Sequence, residues 1–110
     1  MPLSDPAGVD PEEAFVAALS SCHMLWFLSI AAERGVVVDS YTDEAEGVLE
    51  PDSEGKLAIT RVTLRPRIEF GGPVPPGTEI EAIHQEAHHK CFIANSVKTT
   101  LTVEPAVPSP

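Results

Sequence analysis

A chain of 110 residues holds one domain, and residues 1–110 are read as one. Its net charge of −10 comes without any basic cluster, which argues against nucleic acid or an anionic membrane surface as partner. No basic-then-apolar leader pattern precedes Cys22 and Cys91, so the expected compartment is the cytoplasm, where a permanent disulfide is uncommon.

Met1 to Val9 is rich in Pro, Asp and Gly and predicts a loop. Asp10 to Gly35 predicts one long helix. Asp10 is placed to cap it, Pro11 suits its first position, Glu13 completes a capping box, and Gly35 ends it. From Ala14 to Ala32 the only polar side chains are Ser20, Ser21, His23 and Ser29, so the helix has no wet face and must be covered all round. A membrane span is the rival reading, because the stretch is about long enough to cross a bilayer. Its dilution by alanine, serine and histidine, and the sheet-like remainder of the chain, favour a central core helix covered by a sheet and by a second subunit.

Val36 to Leu49 predicts a strand with Tyr41, Ala45, Gly47 and Leu49 on one side. Two residues break that alternation: Asp43 on the apolar side and Val48 on the polar side. Pro51 to Gly55 is turn chemistry. Leu57 to Phe70 alternates cleanly, with Val62, Leu64, Pro66, Ile68 and Phe70 facing one way. The two runs predict an antiparallel hairpin whose arginines pair with the acidic face of the neighbouring strand, Pro66 marking an edge or a bulge. After the loop Gly71 to Gly77, Thr78 is the expected cap of a helix running from Glu79 to about Lys90. Its stripe of Ile80, Ile83, His84 and Ala87 continues to Cys91. A short turn of helix from Phe92, a strand over Val97 to Glu104, and a tail from Pro105 complete the chain. The sum is α+β, with helices on one face of an antiparallel sheet.

Cys22 and Cys91 carry the functional question, and two readings are open. In one they are core cysteines that never meet. In the other they are a redox pair: Cys22 as thiolate attacks an electrophilic oxygen and becomes a sulfenic acid, which Cys91 condenses to a disulfide that a reductant reopens. A metal site is a third candidate, since His84 and His88 stand one helical turn apart with His89 and Cys91 nearby; no carboxylate-rich ligand set accompanies them. His23 is rotated about 100° from Cys22 on the helix and reads as a hydrogen-bonded core histidine. Ser20 and Ser21 read as small residues that permit close packing.

The segment DPEEAFVAALSSCHMLWFLSIAAERGVVVDSY, with HHKCFIANSVKTTLTVE much later, resembles the OsmC/Ohr family of peroxide-reducing proteins. The resemblance spans Asp10 to Glu104 and places both cysteines in the family's contexts. It implies an intertwined homodimer, Cys22 as peroxidatic thiol and Cys91 as resolving thiol. It also implies organic hydroperoxides as substrates, a dithiol such as a dihydrolipoyl group or a small thiol as reductant, and no metal or other cofactor. The family's activating glutamate maps onto Glu12. Ten residues of straight helix span about 15 Å, so either the helix breaks between Glu12 and Cys22 or Glu12 serves the partner's cysteine. The family's arginine comes from strands before the central helix; no arginine lies among the nine residues before Asp10. Those N-terminal strands are therefore expected to be missing, and the alternative is a catalytically weak or inactive ligand-binding or structural domain on the same fold.

Overall fold

The computed structural model describes residues 11–105; the expected Asp10 cap, the N-terminal loop and the end of the tail lie outside them. Helix α1 (Pro11–Glu33) runs unbroken. It stops in the way Gly35 predicts: Gly35 adopts φ 73°, Val36 N–H reaches back to the Ala31 carbonyl at 2.8 Å, and Gly35 N–H to that of Ala32 at 3.1 Å. That double bond pattern needs a left-handed residue at its pivot, which glycine adopts without a Cβ penalty.

The expected hairpin forms but is bent in the middle. Its first run splits into β1 (Val38–Asp43) and β2 (Glu46–Pro51), its second into β3 (Leu57–Leu64) and β4 (Pro66–Phe70). Antiparallel pairs β1–β4 and β2–β3 then belong to separate sheets. Asp43 holds the bend. Its carboxylate accepts the Arg65 backbone N–H at 2.7 Å and the Ser20 hydroxyl of α1, tying both strand runs to the helix. This explains why an aspartate stands on the apolar side, and it gives Ser20 a bonding role beyond being small. The second irregularity, at Val48, coincides with a register shift between Val48 and Leu49. Pro66 opens β4 at the same bend with its ring buried, where it removes no ladder bond. Two of the three arginines pair as expected, Arg61 with Glu50 at 3.6 Å and Arg65 with Glu46 at 3.3 Å; Arg65 also reaches Glu104 at 3.6 Å, and Arg67 makes no ion pair among the described residues.

Helix α2 spans Gly77–Lys90 and follows Pro76 rather than a Thr78 cap; no side chain caps it, because Pro76 already supplies the extended residue before the first turn. The stripe Ile80, Ile83, His84, Ala87, Cys91 is buried throughout. A four-residue helix α3 (Phe92–Asn95) and strand β5 (Thr100–Val103) follow. Strand β5 pairs with β3 in parallel, so the three-stranded sheet β2–β3–β5 is mixed rather than purely antiparallel. The reason is topological: α2 and α3 carry the chain back across the molecule, so β5 enters the sheet in the same direction as β3.

Two apolar cores result, and α1 crosses both. Its first half puts Phe15, Val16 and Leu19 on Val62 and Leu64 of β3 and on Leu101 and Val103 of β5. Its second half puts Phe27, Ile30 and Ala31 on Ile83 and Ala87 of α2, flanked by Val38, Tyr41 and Ile68 of the two-stranded sheet. The helix is long and apolar enough to cross a membrane by length and composition. Here its buried stripe is packed against the rest of the chain. Ala14, Ala17, Ser21, Leu25, Ser29 and Ala32 remain exposed along one side, so the all-round covering the sequence requires is only partly supplied by this chain.

Candidate active site

Cys22 lies on α1 between the two cores, after Leu19 of the first and before Phe27 of the second. Cys91 lies at the matching seam, closing α2 and opening α3. It occupies both posts because its backbone is extended (φ −66°, ψ 113°). Its N–H bonds the His88 carbonyl at 3.4 Å, and its Sγ accepts the Ala94 N–H at 3.4 Å. A cysteine in the place where Ser or Asp usually caps a helix thus fixes its own sulfur.

The two side chains, remote in sequence, come close enough for Cys22 to perturb the Cys91 thiol, and neither is in a disulfide. The Cys91 thiol is pushed up to about 11, first by burial and next by the neighbouring Cys22 thiol; the Ala94 N–H works in the opposite sense. Cys91 therefore holds its proton at neutral pH. Cys91 is wholly buried and Cys22 is partly exposed, so an incoming reagent meets Cys22 first.

An aromatic and charged group borders the pair. Trp26 stands one turn beyond Cys22 on the same side of α1. Phe92, next to Cys91, packs edge-on to Trp26 at 5.6 Å between centroids, yet is 67% exposed. Lys90, on the other side of Cys91, places Nζ 5.5 Å from the Trp26 ring centre and 3.0 Å from Glu86, which also pairs with Arg34 at 3.5 Å. Leu25, 60% exposed, adds apolar surface on α1.

Glu12 stands in the first turn of the same unbroken helix, about 15 Å along the axis from Cys22. The break that would let it reach its own chain's sulfur does not occur. Glu12 instead lines a groove of about 460 Å³ with Glu13, Val16, Ala17, Ser20 and Asp43, floored by Ala45, Gly47, Leu49 and Ile59. Neither sulfur lines this groove. Ala45, Gly47 and Leu49 line it together, as their alternation along the strand predicts.

The histidines sort differently from the metal reading. His84 points inward, with Nδ1 3.0 Å from Nε2 of His23, and the rings are within 5° of parallel. His88 and His89 are exposed. Among the described residues no three His, Cys, Asp or Glu side chains gather as metal ligands would. His23 is the hydrogen-bonded core histidine its position on the helix predicts. Its partner was the unread half: the only sequence signal was a histidine on an otherwise apolar stripe. Burial pulls both histidines down to about 4, so both are neutral at pH 7. Their outer nitrogens, His23 Nδ1 and His84 Nε2, are buried without a hydrogen-bond partner among the described residues, as is the Tyr41 hydroxyl. Burial and the nearby Asp43 carboxylate hold the Tyr41 phenol well above its ordinary range.

The sequence profile described as OsmC-like protein matches residues 4–106. An OsmC-like protein of unknown function from Vibrio cholerae is 55% identical, over 96% of this chain and 70% of that one, with a TM-score of 0.90. The organic hydroperoxide resistance protein OhrB of Bacillus subtilis is 22% identical over 96% of this chain and 78% of that one, with a TM-score of 0.76. An organic hydroperoxide resistance protein from Legionella pneumophila is 21% identical over 96% and 73%, with a TM-score of 0.71. These two share the fold. No curated protein matches the chain at a significant level.

Proposed function

This chain belongs to the OsmC-like protein family, and from that premise we propose that it is a thiol-dependent peroxidase for organic, lipid-like hydroperoxides. The observation that carries the reading is the neighbouring pair of thiols, of which one is partly exposed and the other buried. The Cys22 thiolate attacks the distal oxygen of the hydroperoxide. The O–O bond breaks, a proton goes to the departing alkoxide, and Cys22 becomes a sulfenic acid with release of the alcohol. The Cys91 sulfur then displaces hydroxide from it, forming the disulfide and water. A dithiol such as a dihydrolipoyl group reduces that bond and is itself oxidised to a disulfide. Exposed Leu25 and Phe92 beside Trp26 make the approach to Cys22 apolar, which favours greasy peroxides over hydrogen peroxide. The names of the Bacillus and Legionella proteins point the same way. None of these steps uses a metal or other cofactor.

The test is oxidation of the reduced protein with one equivalent of cumene hydroperoxide. Mass spectrometry should find both thiols lost and a single bond joining Cys22 to Cys91, with cumyl alcohol formed in equal amount. Retention of both thiols would overturn the reading. It would favour instead a binding domain that uses the acidic-rimmed groove along α1.

We further infer a cytoplasmic homodimer, a single domain in each chain, with no nucleic acid or membrane partner. Support for the dimer comes from the exposed side of α1, where Ala, Ser and one leucine allow a second subunit to approach closely. In such an assembly Glu12 acts toward the cysteine of the second subunit. Leu25→Glu is expected to halve the mass measured by light scattering at micromolar concentration. An unchanged mass would remove this interface.

A further inference from the structure

We propose that Lys90 is a specificity-determining residue, selecting hydroperoxides that carry a carboxylate over neutral ones of the same size. The proposal rests on the peroxidase reading but adds a recognition element to it. Lys90 is anchored where a substrate lying across the thiols would end. It precedes Cys91 directly and lies over Trp26, the residue one turn beyond Cys22. Phe92 packs edge-on against Trp26. An apolar chain reacting at Cys22 would run along Trp26 and Phe92 and bring its far end to the Lys90 ammonium.

Charge bookkeeping supports the choice. Glu86 carries one negative charge and holds two cations, Lys90 at 3.0 Å and Arg34 at 3.5 Å. Burial opposes its ionisation, but the Lys90 hydrogen bond, the largest effect, draws its carboxyl below the usual range together with Arg34. It is therefore ionised at neutral pH, and the trio keeps one positive charge in excess. In a chain of net charge −10, the Lys90 cation of that trio adjoins Cys91, with Arg34 just past the end of α1. An ammonium has three donors, and Glu86 uses one; the ring face occupies a side of Lys90 without supplying an acceptor oxygen. A substrate carboxylate can be added without breaking the Glu86 bond.

The test compares linoleic acid hydroperoxide with its methyl ester in kcat/KM. Wild type should favour the acid roughly fivefold, the size of an ion pair at a half-exposed site. The preference should reside in KM, shrink as salt is raised, fall to near unity in Lys90→Met, and persist in Lys90→Arg. A preference that survives Lys90→Met, or equal rates for acid and ester in wild type, would overturn the proposal. A second readout does not need turnover. Octanoate should quench the fluorescence of Trp26, the sole tryptophan, at lower concentration than 1-octanol does, and Lys90→Met should remove that difference. If no peroxide is turned over but octanoate still binds through Lys90, the peroxidase reading fails and the anion site stands. If octanoate and octanol bind alike in wild type, the anion site fails whatever the turnover.

Discussion

Replacing Cys22 by serine should lower peroxidase turnover by at least about a thousandfold, because a hydroxyl is ionised far less than a thiol at neutral pH and is the poorer nucleophile. Replacing Cys91 should have a different signature. Cys22 stays reachable in Cys91→Ser, so one equivalent of peroxide is still consumed in a rapid first turnover. The sulfenic acid then has no neighbour to condense with. Steady-state turnover with a dithiol reductant should fall, and a dimedone adduct on Cys22 should accumulate, detectable as a mass increase confined to the peptide bearing Cys22. The asymmetry follows from burial: one sulfur is partly exposed, the other is enclosed and protonated. Equal loss of the first-turnover burst in the two variants would mean that the roles of the sulfurs are not divided in this way.

The second large effect is on stability in mild acid. His23 and His84 are buried and neutral, and each is lowered from 6.5 to about 4, chiefly by burial; His88 and His23 respectively add repulsion, while Asp43 pulls His23 slightly back. In the unfolded chain both take up protons near pH 6.5. Between pH 6.5 and 4 the unfolded state therefore binds more protons than the native one, and stability rises with pH across that window. The contribution is complete above about pH 6.5 and is lost as the pH falls toward 4. It amounts to roughly 3 kcal/mol for each histidine kept neutral. The melting temperature should be flat above pH 7 and drop steeply by pH 4.5, with a slope corresponding to about two protons taken up on unfolding. A flat profile down to pH 4.5 would mean that the pair is already charged in the native state. Substituting His84 by phenylalanine should reduce the slope by about half, a readout separate from whatever stability the variant itself loses.

Most of the fold was legible because its apolar periodicities are strong. The stripe from Ile80 to Cys91 and the alternation from Val62 to Phe70 each leave one physical choice of buried face, and the structure buries that face. The two strand irregularities were visible but carried no meaning alone. Asp43 proves to be the fastening of a bend, and Val48 borders a shift in register. The parallel entry of β5 had no local signal, since a four-residue strand of alternating Thr and aliphatic residues suits either direction. At the site, each cysteine could be placed on its element, but their meeting depends on how α1 and α2 pack, which no spacing encodes. The His23–His84 pair was hidden for the same reason. Glu12 shows the converse case: its distance from Cys22 could be reckoned from helix rise alone, and the unbroken helix leaves that distance intact.

The sulfurs meet where an uninterrupted rod passes from one apolar cluster to the next. A loop-borne thiol would have to search for its mate in every catalytic cycle. Here both sulfurs sit on packed helical elements, so folding itself brings them near each other. In the proposed reaction the second step would thus begin with its reactants already gathered, as an intramolecular step rather than an encounter with a free thiol.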